Sequence, residues 1–344
     1  MYALPRILSL ITTHQCTAAC DHCCFGCSPR VTKAIPVARL HTLIDEAARI
    51  PSFEMVGFTG GECFLLGKHL DALVARAHGH GLRTRVVTNG YWAVNALAAK
   101  RRIASLRDAG LDEAHFSTGA FHARYVPVER VLHAARAAAA AGLVTSVWIE
   151  TCEGSPFDAA AVRDGLADLV RERRAYVGTQ PWIENAEGRG EARLAHDPAL
   201  SRFLEVNKSG CTSILDVLSV TPEQTLIACC GFTMESIPEL HLGSVAERTI
   251  ADVLDDAPNE FLKYWIHVDG PERILEYVRR FEPAYRLPVE SPSMCQTCLH
   301  LHRDPVARRV LSEHTAEIPF ERVMTAYTAR AQARGPARRT LMAL

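Results

Sequence analysis

Apolar, β-branched runs alternate with helix-period segments at intervals of roughly thirty residues along the first half of this chain. Strand-like runs fall at 6–12, 54–59, 83–88, 113–118, 144–150 and 175–180. Helix-like stretches lie between them at 36–50, 67–80, 93–109, 126–141 and 157–173. "PVARLHTLIDEAARI" is representative, with a proline at the first turn and apolar residues at spacings of three and four. Such alternation predicts a parallel sheet with crossover helices, either doubly wound or a barrel. In a barrel the chemistry gathers at the C-terminal ends of the strands. A cysteine-rich loop follows the first strand, "TGGEC" the second, "TNGY" the third and "STGAFH" the fourth.

With 344 residues the chain has room for one large domain and a smaller one. A net charge of −1 removes any general electrostatic case for binding nucleic acid or a membrane surface. No uncharged run approaches the length of a bilayer span, and Pro5 and Arg6 break the only early apolar run, so no signal peptide is read. The expectation is a cytoplasmic, reducing setting, in which twelve cysteines argue for metal rather than disulfides.

Five of those cysteines sit in "TTHQCTAACDHCCFGCSP", residues 12–29. Cys16, Cys20 and Cys23 form C-x3-C-x2-C. Structural zinc takes four protein ligands, commonly from paired C-x2-C units. Three thiolates on one loop suit a [4Fe-4S] cluster that keeps one iron open, unless Cys24 or Cys27 supplies a fourth ligand and closes it. Past "ENAEGRGEAR" come "SGCTSILDVLSVTPEQTLIACCGF", which reads as a hairpin, and "SPSMCQTCLHLHRDP", with Cys295 and Cys298 as a C-x2-C turn. The expected division is a core at 1–190, a cysteine-bearing module at 207–305, and a tail at 306–344 that is helical from Glu317. Two distant pairs brought together make a four-thiolate site for zinc or iron–sulfur.

The first cysteine motif, with Gly60-Gly61-Glu62 after the second strand, resembles the radical S-adenosylmethionine (radical SAM) superfamily over residues 5–185. The resemblance implies an α/β fold, a partial (β/α)6 TIM-like barrel. It implies that Cys16, Cys20 and Cys23 hold a [4Fe-4S] cluster whose open iron binds S-adenosyl-L-methionine (SAM). Gly60, Gly61 and Glu62 would lie at that cofactor, glycine permitting close backbone approach and a carboxylate accepting from an ammonium. His22 takes the position that is usually aromatic, near the adenine. Asn89 and Ser117 fall where relatives present polar groups, although Asn89-Gly90 is equally a turn signal. Gly119 stands where many relatives have Asp. His122, on the same loop, reads as an exposed or capping histidine.

The later cysteines resemble the SPASM or twitch extension of the same superfamily. On that resemblance Cys211, Cys229, Cys295 and Cys298 hold one auxiliary [4Fe-4S] cluster, with Cys229 preferred to Cys230 by register. The extension's usual glycine is replaced by Gln224. Among the remaining thiols, Cys63 and Cys152 are expected to face the barrel mouth, where a thiol is able to return a hydrogen atom to a substrate radical. Cys152, Glu150 and Glu184 are the candidate catalytic residues, with surface ion pairing an equal account of the two carboxylates.

The chemistry implied is reductive cleavage of SAM to a 5′-deoxyadenosyl radical, which abstracts a C–H hydrogen. The expected outcome is oxidative modification, such as cross-linking, of a ribosomally made peptide natural product. The alternative is an aminoglycoside-like small-molecule dehydrogenase or epimerase; the remote one is a non-catalytic zinc or redox-sensing protein. Expected partners are an electron donor such as flavodoxin or ferredoxin and a separate leader-peptide-binding protein, since the first strand begins near residue 6. Nucleic acid and membrane are not expected partners.

Overall fold

The computed structural model describes residues 4–151, 157–181, 210–286 and 293–333. The first strand–helix series runs β1 (Ile7–Ile11), α1 (Val37–Ala48), β2 (Met55–Thr59), α2 (Lys68–Gly79), β3 (Arg83–Thr88), α3 (Ala96–Asp108) and β4 (Glu113–Gly119). It continues through α4 (Val128–Ala140), β5 (Val144–Thr151), α5 (Ala159–Asp164), α6 (Ala167–Arg171) and β6 (Tyr176–Pro181). The sequence places a single helix at 157–173, whereas the chain breaks it at Gly165. A side chain there would meet Leu132 of α4 at 3.0 Å, and the Gly165 carbonyl instead accepts from Arg136 at 2.6 Å.

The six strands lie side by side in sequence order, all parallel, with β1 in register against β2 from Ile7↔Met55 to Ile11↔Thr59. This is an α/β sheet of the partial-barrel kind. Each strand turns alternate residues to opposite faces. Leu8, Leu10, Val56, Phe58, Val86, Ala114, Phe116, Val147 and Ile149 are essentially inaccessible and join the α1–α4 apolar faces in one core. Burying a side chain the size of Phe58 or Phe116 contributes about 2–3 kcal/mol. The intervening residues, Ser9, Ile11, Arg85, Val87, His115, Ser117 and Trp148 among them, line an internal cavity.

The segment from 210 onward joins that same sheet. Strand β7 (Val217–Val220) pairs parallel with β1, and β8 (Thr225–Ile227) and β9 (His241–Ser244) continue the sheet antiparallel. The expected hairpin is thus β7–β8. Gln224 sits in its turn with φ +61°, a left-handed conformation that favours glycine. Helices α7 (Ile250–Asp256), α8 (Phe261–Asp269), α9 (Pro271–Phe281), α10 (Met294–Arg303), α11 (Pro305–Glu313) and α12 (Phe320–Ala333) follow. Thr249 and Asp252 close a capping box on α7, and Asp304 caps α11 through Ala307 N–H at 2.8 Å. Cys295 and Cys298 lie in α10 and not in a free turn, because the Ser293 hydroxyl caps it at Gln296 N–H. None of the described helices is long and apolar enough to cross a membrane.

Candidate functional site: two cysteine groups across one cavity

The chain leaves β1 and closes a loop on itself through a Thr13↔Ala34 bridge and a Gln15↔Ser28 bridge. Cys16, Cys20, Cys27 and Phe121 form one buried cluster there, with Cys23 packed against it. Donors converge on the sulfurs: Ala18 N–H on Cys16 at 3.4 Å, Cys27 N–H on Cys23 at 3.3 Å, and Asn89 Nδ2 on Cys16 at 3.7 Å. Burial holds the Cys16 thiol up at about 11, so it keeps its proton until a metal displaces it. None of the described cysteines is in a disulfide.

The Gly-Gly-Glu segment lies directly beneath this loop. Gly61 N–H donates to Thr13 O at 2.6 Å and Glu62 N–H to Gln15 O at 2.9 Å, extending the β1–β2 ladder past the strand ends. A Cβ on Gly61 would fall 2.1 Å from Gln15 O, and one on Gly60, where φ is +135°, 2.5 Å from Thr13 O. Two backbones can approach this closely only where one of them carries no side chain. Glu62 is fully buried and accepts from Phe64 N–H (3.0 Å), Thr88 Oγ1 (2.8 Å) and Asn89 N–H (2.9 Å). Burial outweighs those bonds and raises its pKa to about 7. Three acceptor sites are used, leaving room for one more donor. Asn89 fits its turn reading, with Oδ1 accepting from Tyr91 N–H at 3.0 Å, and its Nδ2 reaches Thr17 and Cys16 of the cysteine loop.

His22 stacks on Phe121 with ring centroids 4.7 Å apart, and burial lowers its pKa to about 4. Its edge meets His122 at 5.1 Å. His122 is not an exposed or capping residue. Its Nδ1 bonds Glu150 Oε2 at 2.5 Å, and Glu150 Oε1 accepts from the Phe121 and His122 amides at 3.0 and 2.8 Å. Burial opposes the imidazolium, but the Glu150 charge and bond outweigh it and raise the His122 pKa. Gly119 makes this possible, since a Cβ there would fall 2.5 Å from the Glu150 carboxyl carbon. Glu150 is therefore a buried partner of His122, not one half of a surface pair. Ser117 lines the cavity wall. Cys152 and Glu184 lie outside the described residues. Cys63, expected at the mouth, is instead inaccessible in the core and donates to Val87 O at 3.4 Å, because the short 3-10 turn after Glu62 rotates it behind the sheet.

The second group gathers from three segments. Gly231 lies between Cys229 and Cys295: its added Cβ would be 3.3 Å and 2.9 Å from their sulfurs. Burial raises the Cys229 and Cys298 thiols, and the nearby Cys211 and Cys295 raise both further. Cys229 accepts from Gly231 N–H at 3.1 Å, whereas Cys230 points the other way, packs on Ile7, Met55 and Val217, and lines the cavity. Among the described residues, the ligand-type triads lying within 4.8 Å of one another are His22/His122/Glu150 and His14/Glu223/Glu235.

A cavity of about 320 Å³ separates the two cysteine groups, touched by His22 and Cys24 on one side and by Cys230 and Cys295 on the other. It also reaches residues that the sequence reading passed over: Arg85, His115 and Trp148. Their alternation along the strands was the available signal, since each is two residues from another lining position.

Residues 10–152 match the Radical SAM superfamily. YydG of Bacillus subtilis (strain 168), a protein assigned by name to peptide biosynthesis, is 26% identical over 121 residues. That match spans 35% of this chain and 38% of YydG. The structure of native anSMEcpe with bound AdoMet and a Cp18Cys peptide superposes with a TM-score of 0.57 at 13% identity, over 95% of this chain and 99% of that one. BtrN in complex with AdoMet and 2-DOIA aligns over 74% of this chain and 83% of its own, at 16% identity and a TM-score of 0.42.

Proposed function

The chain carries a radical SAM domain over residues 10–152, and we propose that it uses that domain to oxidise a C–H position in a ribosomally made peptide. One observation carries this reading: a single cavity is lined by His22 and Cys24 of the first cysteine loop and by Cys295 of the second group. A substrate there would lie between the loop that carries Cys16, Cys20 and Cys23 and the group that includes Cys295.

Cys16, Cys20 and Cys23 are the residues to hold a [4Fe-4S] cluster. Their gathered thiols and the amide donors aimed at them fit thiolate ligands, whose charge such bonds stabilise. Gly60, Gly61 and Asn89 hold the loop in place from below, and the flat stack of His22 on Phe121 offers a ring surface beside it. Cys211, Cys229, Cys295 and Cys298 are the residues to hold an auxiliary cluster. When bound, the first cluster with SAM supplies a carbon-centred radical that takes a hydrogen atom, and the auxiliary cluster supplies an acceptor for one electron. The proton released on oxidation needs a base. His122 has its Nδ1 fixed on Glu150 and its other ring nitrogen left for that proton. Ile7, Ile11, Val87 and Val217 keep the remaining wall apolar and exclude water.

The peptide class is supported by YydG, and a cavity of about 320 Å³ accommodates one side chain rather than a folded domain. A flavodoxin- or ferredoxin-like donor and a separate leader-binding protein complete the proposal. The test is anaerobic reconstitution with SAM and dithionite, chromatography for 5′-deoxyadenosine, and iron counting. Wild-type protein is expected to form 5′-deoxyadenosine and to hold roughly eight irons. Colourless protein with stoichiometric zinc and no 5′-deoxyadenosine overturns the proposal.

A further inference from the structure

The deep wall of the cavity is built from two unlike halves. On one side Ser219, Ser9 and Gly57 stand in register on β7, β1 and β2. All three line the cavity, and a Cβ on Gly57 would meet nothing within 4 Å. Small residues on three adjacent strands leave room at mid-strand depth. Facing that room are Arg85 on β3, His115 on β4 and Trp148 on β5.

His115 and Trp148, with Ser219 opposite them, leave polar atoms unbonded among the described residues. Arg85 is only 6% exposed and sets Nε on Glu113 Oε2 at 2.6 Å, with Nη2 also 2.6 Å from that oxygen. Trp148 Nε1, His115 Nδ1 and Ser219 Oγ are buried and unpartnered among the described residues. His115 and Ser219 are 3% and 0% exposed. Leaving such groups unpaired costs about 1–3 kcal/mol each, so a site that keeps several is shaped for something that binds there.

Charge sets the class of ligand. Arg83 and Arg85 share the single Glu113 carboxylate, which their charge and His115 hold ionised against the pull of burial. Burial lowers the His115 pKa and leaves that ring neutral. Arg83, Arg85 and Glu113 therefore sum to one positive charge, while Glu150 and His122 in the same cavity pair with each other. Asp216 faces a different cleft, beside Arg6 and Glu54. Arg85 Nη1 and Trp148 Nε1 only donate, Ser219 Oγ does either, and the neutral His115, whose Nε2 faces Glu113, presents Nδ1 as an acceptor to one side. A carboxylate is acceptor-only and negative, and it complements this set better than a neutral amide or an apolar side chain.

We propose that Arg85, Trp148 and Ser219 form a carboxylate-binding subsite that anchors the substrate beneath the reacting position. It deepens the radical peptide-oxidation reading, and rests on that reading only for what happens to the anchored molecule. The carboxylate belongs either to an Asp or Glu side chain or to a chain terminus.

The test is calorimetric binding to the reconstituted full-length protein with SAM present. The probes are N-acetyl-glutamate α-methylamide against N-acetyl-glutamine α-methylamide, and N-acetyl-norvaline against its α-methylamide. Each carboxylate is expected to bind at least about tenfold more tightly than its amide in whichever pair matches the source. A larger ratio in the first pair identifies an acidic side chain, and in the second a terminus. Arg85→Gln should abolish the preference. Trp148→Phe and Ser219→Ala, which leave Glu113 paired, should each reduce it several-fold and keep the variants interpretable if Arg85→Gln fails to fold. Equal binding of carboxylate and amide in both pairs, or no binding of any probe, overturns the subsite. 5′-deoxyadenosine formation without carboxylate preference leaves the radical reading standing alone, and the reverse result leaves the subsite standing alone.

Discussion

One cavity is bordered by the loop of the first cysteine group, at His22 and Cys24, and by Cys295 of the second, yet the two groups are made in opposite ways. The first is contiguous in sequence, and its loop is stitched by backbone bonds to the Gly-Gly-Glu segment below it. The second collects Cys211 from before β7, Cys229 from after β8, and Cys295 and Cys298 from α10. A site on one loop depends on local geometry. One drawn from three segments depends on the whole sheet and helix layer behind it, so the first group should prove robust and the second conditional.

The strongest way to break that contrast is to remove each group in turn. Cys16→Ala/Cys20→Ala/Cys23→Ala should abolish 5′-deoxyadenosine formation completely, whereas Cys295→Ala/Cys298→Ala should leave it measurable. Abolition by both sets would mean that the groups do not act separately. Within the second group, Cys229→Ala should lose about four irons per chain and Cys230→Ala none. Equal losses by iron assay would dissolve the distinction that their opposite orientations draw.

The glycines sharpen the comparison further. Gly61→Ala drives a methyl group against Gln15 O, a backbone atom, and should cost about 3 kcal/mol by denaturant titration. Gly231→Ala meets only the sulfurs of Cys229 and Cys295 and should cost about 1 kcal/mol, its main effect being loss of iron from the second group. If both changes cost the same, the backbone stitching of the first loop has been overstated.

Both groups hang on one sheet, and acid offers a test of that. Burial alone would raise the Glu113 pKa, but His115, Arg85 and Arg83 outweigh it and bring it from 4.5 to about 2. Stability from this group is complete above pH 4.5 and drains away as the pH falls toward 2. About 2–3 kcal/mol should be lost over that window in the wild-type apo-protein, and the loss should flatten in Glu113→Gln. A single acid transition by circular dichroism is expected; two separate ones would mean that the C-terminal strands melt on their own. The smallest effect belongs to the β7–β8 turn. Gln224→Gly should stabilise by up to about 1 kcal/mol by relieving the left-handed backbone, and a destabilised variant would show that the side chain matters more than the turn.

The six strands of the first half appear within a residue or two of where apolar runs place them, because each is a local pattern backed by a helix of matching period. The cysteine loop and Gly-Gly-Glu segment were legible for the same reason, being short motifs at strand ends. The pairing of His122 with Glu150 was not. It joins β4 to β5 through space left by Gly119, and that space exists only once the strands lie in register. Cys63 shows the converse error: its position beside Glu62 suggested the mouth, and one tight turn put it in the core.

Sequence alone determined the alternation that makes a parallel sheet, and three thiols close enough in the chain to meet on any backbone path. Only the tertiary structure decided that β7 would extend the sheet beside β1, and with it which of two adjacent cysteines faces the second group and which faces the cavity. Side-chain direction on a strand flips with every residue, so a one-residue change in register would exchange Cys229 for Cys230 and turn Arg85, His115 and Trp148 out of the cavity.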